Sequence, residues 1–297
     1  MTTLPMVSVV VPCFNAKQYV DEALDSVRNQ TYSVLDIIAV NDGSTDETPQ
    51  LLERQAECDP RVRLVHQANR GLPAARNAGL RQARGEFVCF LDADDVLLPD
   101  KIEKQVRYLR DNPSTDLVYS DYLIGDDRLE WTGLVAARMP RCELIEAYAR
   151  KNWFAPMVPL LRRRLIERVG EFDETLRASE DWDYWIRCAE AGGIFGYLPG
   201  PIAIYRTHAS QMHNDSARMF ANGKRVLNKH FRSTRLYRRA LASFYERYAT
   251  YAWHDGRRLR SGLLLALWAY HHRMEAAANL MRRREMGGAA TRLAANQ

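Results

Sequence analysis

The amino-acid sequence predicts an α/β fold, a doubly wound sheet followed by a C-terminal helical extension. Three observations carry this expectation. Strand-like and helix-like patterns alternate through the first third of the chain. The first strand candidate, Val7 to Val11, is a continuous β-branched run, as expected of a strand covered on both faces. Beyond Ala217 the strand signals stop and an Arg-rich helical periodicity takes over.

Taken in order, Val7 to Val11 is a β-branched run and reads as the first strand. Tyr19/Val20, Ala23/Leu24 and Val27 follow with the spacing of one helix face. Leu35 to Val40 is a second strand, and Ser44-Thr-Asp-Glu47 has the form of a capping box opening a helix. Val62 to Val65 is a short strand. Pro73 suits the first turn of a helix that Gly85 ends. Phe87 to Leu91 is a fourth strand, and Pro99 opens a helix that turns Ile102, Val106 and Leu109 inward. Such alternation places a ligand site at the carboxyl ends of the strands. From about Asp116 to His213 the pattern loosens into short strands, turns and two helical segments. In the extension, Leu236/Tyr237, Ala240/Leu241, Phe244, Tyr248 and Tyr251/Ala252 form an apolar stripe. Gly256 breaks it, and a second helix is expected from Ser261 to about His272, making one hairpin.

A chain of 297 residues is long enough for a sizeable core. No apolar run approaches the ~20 residues of a membrane span; the longest candidate is Leu263 to Ala269. The N-terminus has no basic region with a signal-type apolar core, so a cytoplasmic location is expected. Five scattered cysteines without a CxxC pair exclude a disulfide framework or zinc site as the expectation; Cys89 and Cys188 read as buried thiols. Residues 216–297 hold 17 Lys/Arg and 4 Asp/Glu, a net of +13, so residues 1–215 carry −8 of the total of +5. Two modules follow: a body at 1–215, with halves at about 1–115 and 116–215, and a basic extension at 216–297. An acidic body suits a cation, and a basic extension suits phosphate or lipid.

Three polar clusters fall where strands end: Pro12-Cys-Phe-Asn15, Asn41-Asp-Gly-Ser-Thr-Asp46 and Asp92-Ala-Asp-Asp95. Carboxylates one residue apart in a turn can converge on Mg²⁺ or Mn²⁺, which favour oxygen ligands. Three crowded acids also repel one another, and a cation offsets that repulsion. Glu180-Asp-Trp-Asp183 stands before an apolar helix, where its acids serve either chemistry or capping.

Together, VSVVVPCFN, AVNDGSTDET, NRGLPAARNAG, GEFVCFLDADD and SEDWDYWIRCAEAG resemble the ordered motifs of family 2 inverting glycosyltransferases with a GT-A fold. The resemblance runs from about Val7 to His208 and leaves the basic extension uncovered. It implies transfer of a sugar from a nucleoside diphosphate donor, UDP foremost, to a glycan or lipid-linked acceptor in cell-surface polysaccharide or glycolipid synthesis. It implies that Pro12, Phe14 and Asn15 border the nucleoside and that Asp42 bonds the base or ribose. Arg76 would approach the base or diphosphate, and Asp92 with Ala93 would meet the ribose side of the donor. Asp94 would be the main ligand of Mn²⁺ or Mg²⁺, and His208 would reach the metal or diphosphate. Asp95 would lie behind them or touch the sugar. Asp181 would be the general base, with Glu180 the alternative within the pair. Asn41 stands where many relatives carry an acid.

Two other readings stay open at this stage. Asp92-Ala-Asp-Asp-Val-Leu also resembles the nucleophile motif of haloacid-dehalogenase-type phosphatases, though that motif normally lies near a chain's start. A non-catalytic nucleotide-sugar-binding module is the other. The basic extension admits peripheral contact with the inner membrane face, a protein partner, or a plain helical cap. Nucleic acid is not an expected partner, since no recognised binding motif accompanies the charge.

Overall fold

The computed structural model describes residues 4–140, 142–254 and 262–273, and the chain divides into two compact units. The first comprises Met1–Arg141 and Asn152–Asp215; the second comprises Cys142–Lys151 and Ser216–Gln297.

In the first unit, β1 (Val7–Cys13), β2 (Leu35–Asp42), β3 (Val62–Gln67) and β4 (Phe87–Phe90) pair in parallel in the order β3-β2-β1-β4. Every residue of β1 and β2 is buried, which is why both read as mostly apolar runs without a two-residue alternation, interrupted by the buried Ser8 and Asp36. The helices between them are α1 (Val20–Arg28), α2 (Thr48–Cys58) and α3 (Leu72–Gln82). Helix α1 buries Val20, Ala23, Leu24 and Val27, the expected face.

Two boundaries differ from expectation. Helix α2 begins at Thr48, because Ser44 does not cap it: the Ser44 hydroxyl accepts the Asn15 N–H instead, and Asp46 accepts the Thr48 N–H. Helix α3 ends at Gln82 without using Gly85. A Cβ at Gly85 would stand 2.5 Å from the Ser8 nitrogen, so this glycine answers a close backbone approach.

The sheet then departs from a simple parallel order. It continues through β8 (Leu160–Arg162), β6 (Leu117–Gly125), β9 (Phe195–Arg206) and β5 (Val96–Leu97), while β7 (Trp131–Val135) pairs with β6. Strand β8 is antiparallel to both β4 and β6, whereas β6 and β9 run parallel. Helix α4 (Lys101–Asp111) buries Ile102, Val106 and Leu109. Helix α6 (Arg163–Val169) leads towards α7 (Glu180–Glu190). An aromatic cluster fixes α7. Phe172 stacks on Tyr184 at 4.1 Å, Phe90 meets Phe172 edge-on at 5.0 Å, and Trp185 lies 5.4 Å from Phe154.

The second unit holds α5 (Leu144–Arg150), α8 (Ser216–Phe231), α9 (Tyr237–His254) and a helical stretch at 262–273. Phe220 and Phe244 pack at 5.1 Å, and the Tyr237 hydroxyl donates to Asn228. The expected single hairpin is thus too simple, since α5 and α8 join it. His271 stacks on Tyr245 at 5.6 Å. Gly256 and the Arg282-Arg-Arg284 cluster lie outside the described residues. Among the described residues no helix is long and apolar enough to cross a membrane. Cys13, Cys89 and Cys188 are buried free thiols.

Candidate active site

The loops after β1 and β2 are laced together. Asn15, in the left-handed region at φ 49°, accepts the Thr45 N–H at 2.8 Å, and Thr48 Oγ1 accepts the Ala16 N–H at 2.8 Å. Asparagine is among the residues that tolerate that conformation. Pro12 is buried, while Phe14 is half exposed at the strand end, an apolar ring open to solvent.

Asp42 is almost fully buried, and its carboxylate serves the protein. It accepts Gln67 Nε2 at 2.7 Å and the backbone N–H groups of Arg70 and Gly71 at 2.8 Å each. Asp42 therefore shapes the loop that starts α3. Asn41 accepts the Ser44 N–H at 2.9 Å, a role its neutral amide fills without an acid.

Arg76 lies elsewhere than a side chain reaching out to a base or diphosphate. It is fully buried, and its guanidinium donates to Glu180 at 2.5 Å and Asp92 at 2.6 Å, over the Phe172 ring. A small-residue helix face brings it there: a Cβ at Gly79 would stand 2.3 Å from Val10 Cγ1, so α3 lies tight on β1. Arg76 therefore ties the Asp92 loop to the start of α7. Burial and the nearby Asp94 raise the Asp92 carboxyl against the pull of Arg76.

Beyond Asp92 and the buried Ala93, the Asp94 carboxylate lies 3.0 Å from His208 Nε2. The Asp94 side chain is partly exposed. Asp95 is buried, with one oxygen accepting the Arg206 N–H at 2.9 Å and the other without a partner. Its burial places it behind Asp94, the first of the two positions expected for it. Burial, then Asp94 and Asp92, push its pKa well above the ordinary carboxylate range. His213 faces the Tyr205 hydroxyl at 3.2 Å.

At the start of α7 the two neighbouring acids differ. Glu180 is buried and bonded to Arg76. Asp181 is half-buried; Asn152 Nδ2 donates to one oxygen at 2.6 Å and the Trp182 N–H to the other at 2.8 Å. Burial and the Glu180 carboxylate push Asp181 up to about 7. Ser179, at φ 59°, makes no side-chain cap.

Residues 8–166 match the family model described as glycosyl transferase family 2. The chain belongs to that family. Over 217 residues it is 32% identical to the uncharacterized glycosyltransferase EpsJ of Bacillus subtilis (strain 168), covering 70% of this chain and 63% of that one. Over 118 residues it is 45% identical to EpsH of the same organism, covering 40% of this chain and 34% of that one. The chain thus spans less than two thirds of either relative. Among solved structures, S. aureus TarS 1-349 in complex with UDP-GlcNAc superposes with a TM-score of 0.62 at 17% identity, over 93% of this chain and 92% of that one. The mannosyltransferase PcManGT from Pyrobaculum calidifontis, in complex with GDP-Man and Mn²⁺, gives 0.62 at 22% identity, over 93% and 84%. At these identities the likeness bears on the fold, which is GT-A. Family 2 membership removes the phosphatase reading.

Sequence reasoning missed several residues that join this family 2 site together. Asn152 gave no signal, lying in an irregular stretch far from the acid it bonds. Tyr19 was read only as part of a helix face, yet its hydroxyl donates to Asp127 at 2.5 Å and its ring lies 4.6 Å from His208. Arg206 had one signal, its place in Tyr205-Arg-Thr-His208 at the end of a strand.

Proposed function

We propose that the protein transfers a sugar from a nucleoside diphosphate sugar to an acceptor hydroxyl in one in-line displacement, inverting the anomeric centre. The observation that carries this reading is Asp181. It is a half-buried carboxylate titrating near neutrality, held by Asn152 and a backbone N–H, and joined through Glu180 and Arg76 to the Asp92–Asp94 loop. An acceptor hydroxyl is a weak nucleophile, and a positioned carboxylate near pH 7 removes its proton as the bond forms. Glu180 is the weaker candidate, because Arg76 occupies it. Phe14 offers an apolar face to a nucleobase, beside Pro12 and Asn15, and Asp42 orders the loop at the start of α3.

A divalent cation fits the residues present. Asp94 and His208 bring a carboxylate and an imidazole together; the carboxylate suits Mn²⁺ or Mg²⁺ and the imidazole favours Mn²⁺ of the two, and the orphaned Asp95 oxygen marks a loop crowded with acids. Among the described residues no third His, Cys, Asp or Glu completes a cluster, so phosphate and water would have to supply the other ligands. When bound, such an ion neutralises charge on the departing diphosphate. The complexes of TarS with UDP-GlcNAc and of PcManGT with GDP-Man and Mn²⁺ support a donor of this class. UDP-sugars lead the reading, with a glycan or lipid-linked acceptor of cell-surface polysaccharide or glycolipid. The basic second unit is proposed to meet an anionic membrane surface on the cytoplasmic side.

A panel of UDP-, GDP- and dTDP-sugars, assayed for nucleoside diphosphate release with Mn²⁺, tests the reading. One donor class should turn over, and EDTA should abolish the activity. No release from any donor would favour a non-catalytic binding module, and full activity in EDTA would remove the metal.

A further inference from the structure

Arg206 ends β9 and is 2% exposed. A guanidinium presents five donors in a rigid plane and can bond in several directions at once. Here Nε donates to the Asp94 carbonyl at 2.7 Å and Nη1 to the Asp127 carbonyl at 2.6 Å. Nη2 donates to the Glu22 carboxylate on α1. The Tyr19 ring lies 4.8 Å from the guanidinium, and its hydroxyl reaches the side chain of the same Asp127. The Arg206 N–H donates to Asp95, and the Arg206 carbonyl accepts Gln211 Nε2, while Gln211 Oε1 accepts the His208 N–H at 3.3 Å. One buried residue thus joins the Asp94 loop, α1 and the β6–β7 turn through its side chain, and the turn carrying His208 through its main-chain carbonyl.

An apolar side chain would fill this volume without desolvating a charge, and buried ion pairs contribute little net stability. What the guanidinium adds is direction. We propose that Arg206 is a positioning residue that fixes Asp94 and His208 in the mutual orientation needed to receive a divalent cation with a nucleoside diphosphate, and that the same fork fastens the β6–β7 turn to that site. This rests on the donor-site reading above. Arg206 touches neither substrate nor ion; it acts through the Asp94 main chain and the turns around it.

Arg206→Lys tests this in the full chain. Lysine keeps the charge and the backbone bond to Asp95, but its single nitrogen cannot span Asp94, Asp127 and Glu22 together. Mn²⁺ is titrated in the presence of UDP and, separately, GDP, with free Mn²⁺ followed by its EPR signal and the fold by circular dichroism and thermal melting. The expected result is a cooperative melt with Mn²⁺–nucleotide affinity weakened at least about tenfold, as for partners that orient metal ligands. Should Arg206→Lys fail to fold, Glu22→Ala decides, since Glu22 is largely exposed and removing its carboxylate frees one arm of the fork. Its affinity should fall about threefold, by the same orienting logic. Wild-type affinity in the deciding variant overturns the role of Arg206 and leaves the donor site standing. No nucleotide-dependent Mn²⁺ binding by the unmodified protein overturns the donor-site reading and this inference with it.

Discussion

Asp181 and Glu180 are adjacent in sequence and unequal in setting. Glu180 compensates the fully buried Arg76, whereas Asp181 faces partial solvent with Asn152 on one oxygen. Nothing in the order Glu-Asp announces that difference; the environment of each acid creates it. In the proposed role, Asp181, with its pKa raised to about 7, takes a proton only after losing its own, so kcat/KM should rise with pH through about 7. Asn152 donates to the charged form and lowers that pKa. Asn152→Ala should therefore move the rising limb to higher pH, read from kcat/KM against pH; an unmoved limb would show that another group titrates. The sign for stability is opposite. Between the unfolded value of 3.8 and the folded value of about 7 the native state binds the extra proton, so this group costs stability as pH rises across that window. Arg76 shows the limit of reading residues from sequence. The motif that contains it is plain, but an arginine that serves a ligand and one buried between two carboxylates are spelled alike.

The elements that were legible were those whose pattern follows from burial alone. Strands β1 and β2 are buried along their whole length, and α1 and α4 each bury one face, so their periods are clean. Strand β5 has two residues and exists because β9 pairs with it, a long-range fact that no local pattern encodes. The same holds for β8, which reverses the sheet direction between β4 and β6. The Ser44 box failed because the β1 loop competes for the same hydroxyl. In the second unit, Arg218, Arg225 and Lys229 are exposed on α8 at spacings of seven and four, with Arg232 exposed just past its end, a single basic stripe. Such a stripe gains roughly 1 kcal/mol per charge near an anionic membrane surface. The protein should bind phosphatidylserine vesicles at low salt and release them at about 1 M, where the screening length falls to roughly 3 Å. No binding at low salt would leave α8 and α9 as a helical cap.

At the scale of the molecule, the polar clusters predicted to gather at strand ends are brought together by the sheet order. β1, β2 and β4 are consecutive in space, so the loops that follow them share one edge. The start of α7 joins that edge through the Arg76 clasp, which couples residues 104 positions apart. That much follows from a doubly wound pattern plus a motif set. What the pattern lacked was the means of holding the parts together, carried by Arg206, Tyr19 and Asn152 through contacts that no local period encodes. The charge division, −8 in residues 1–215 and +13 in residues 216–297, separates an acidic body from a basic extension in the same reading. The central claim is that this body transfers sugar with Asp181 as base. Asp181→Asn should keep donor affinity, measured by direct binding, near that of the unmodified protein while transfer falls about 10²–10⁴-fold. Glu180→Gln, measured beside it, should retain more activity. Normal transfer by Asp181→Asn would contradict the account, and a dead Glu180→Gln alongside it would move the base to Glu180.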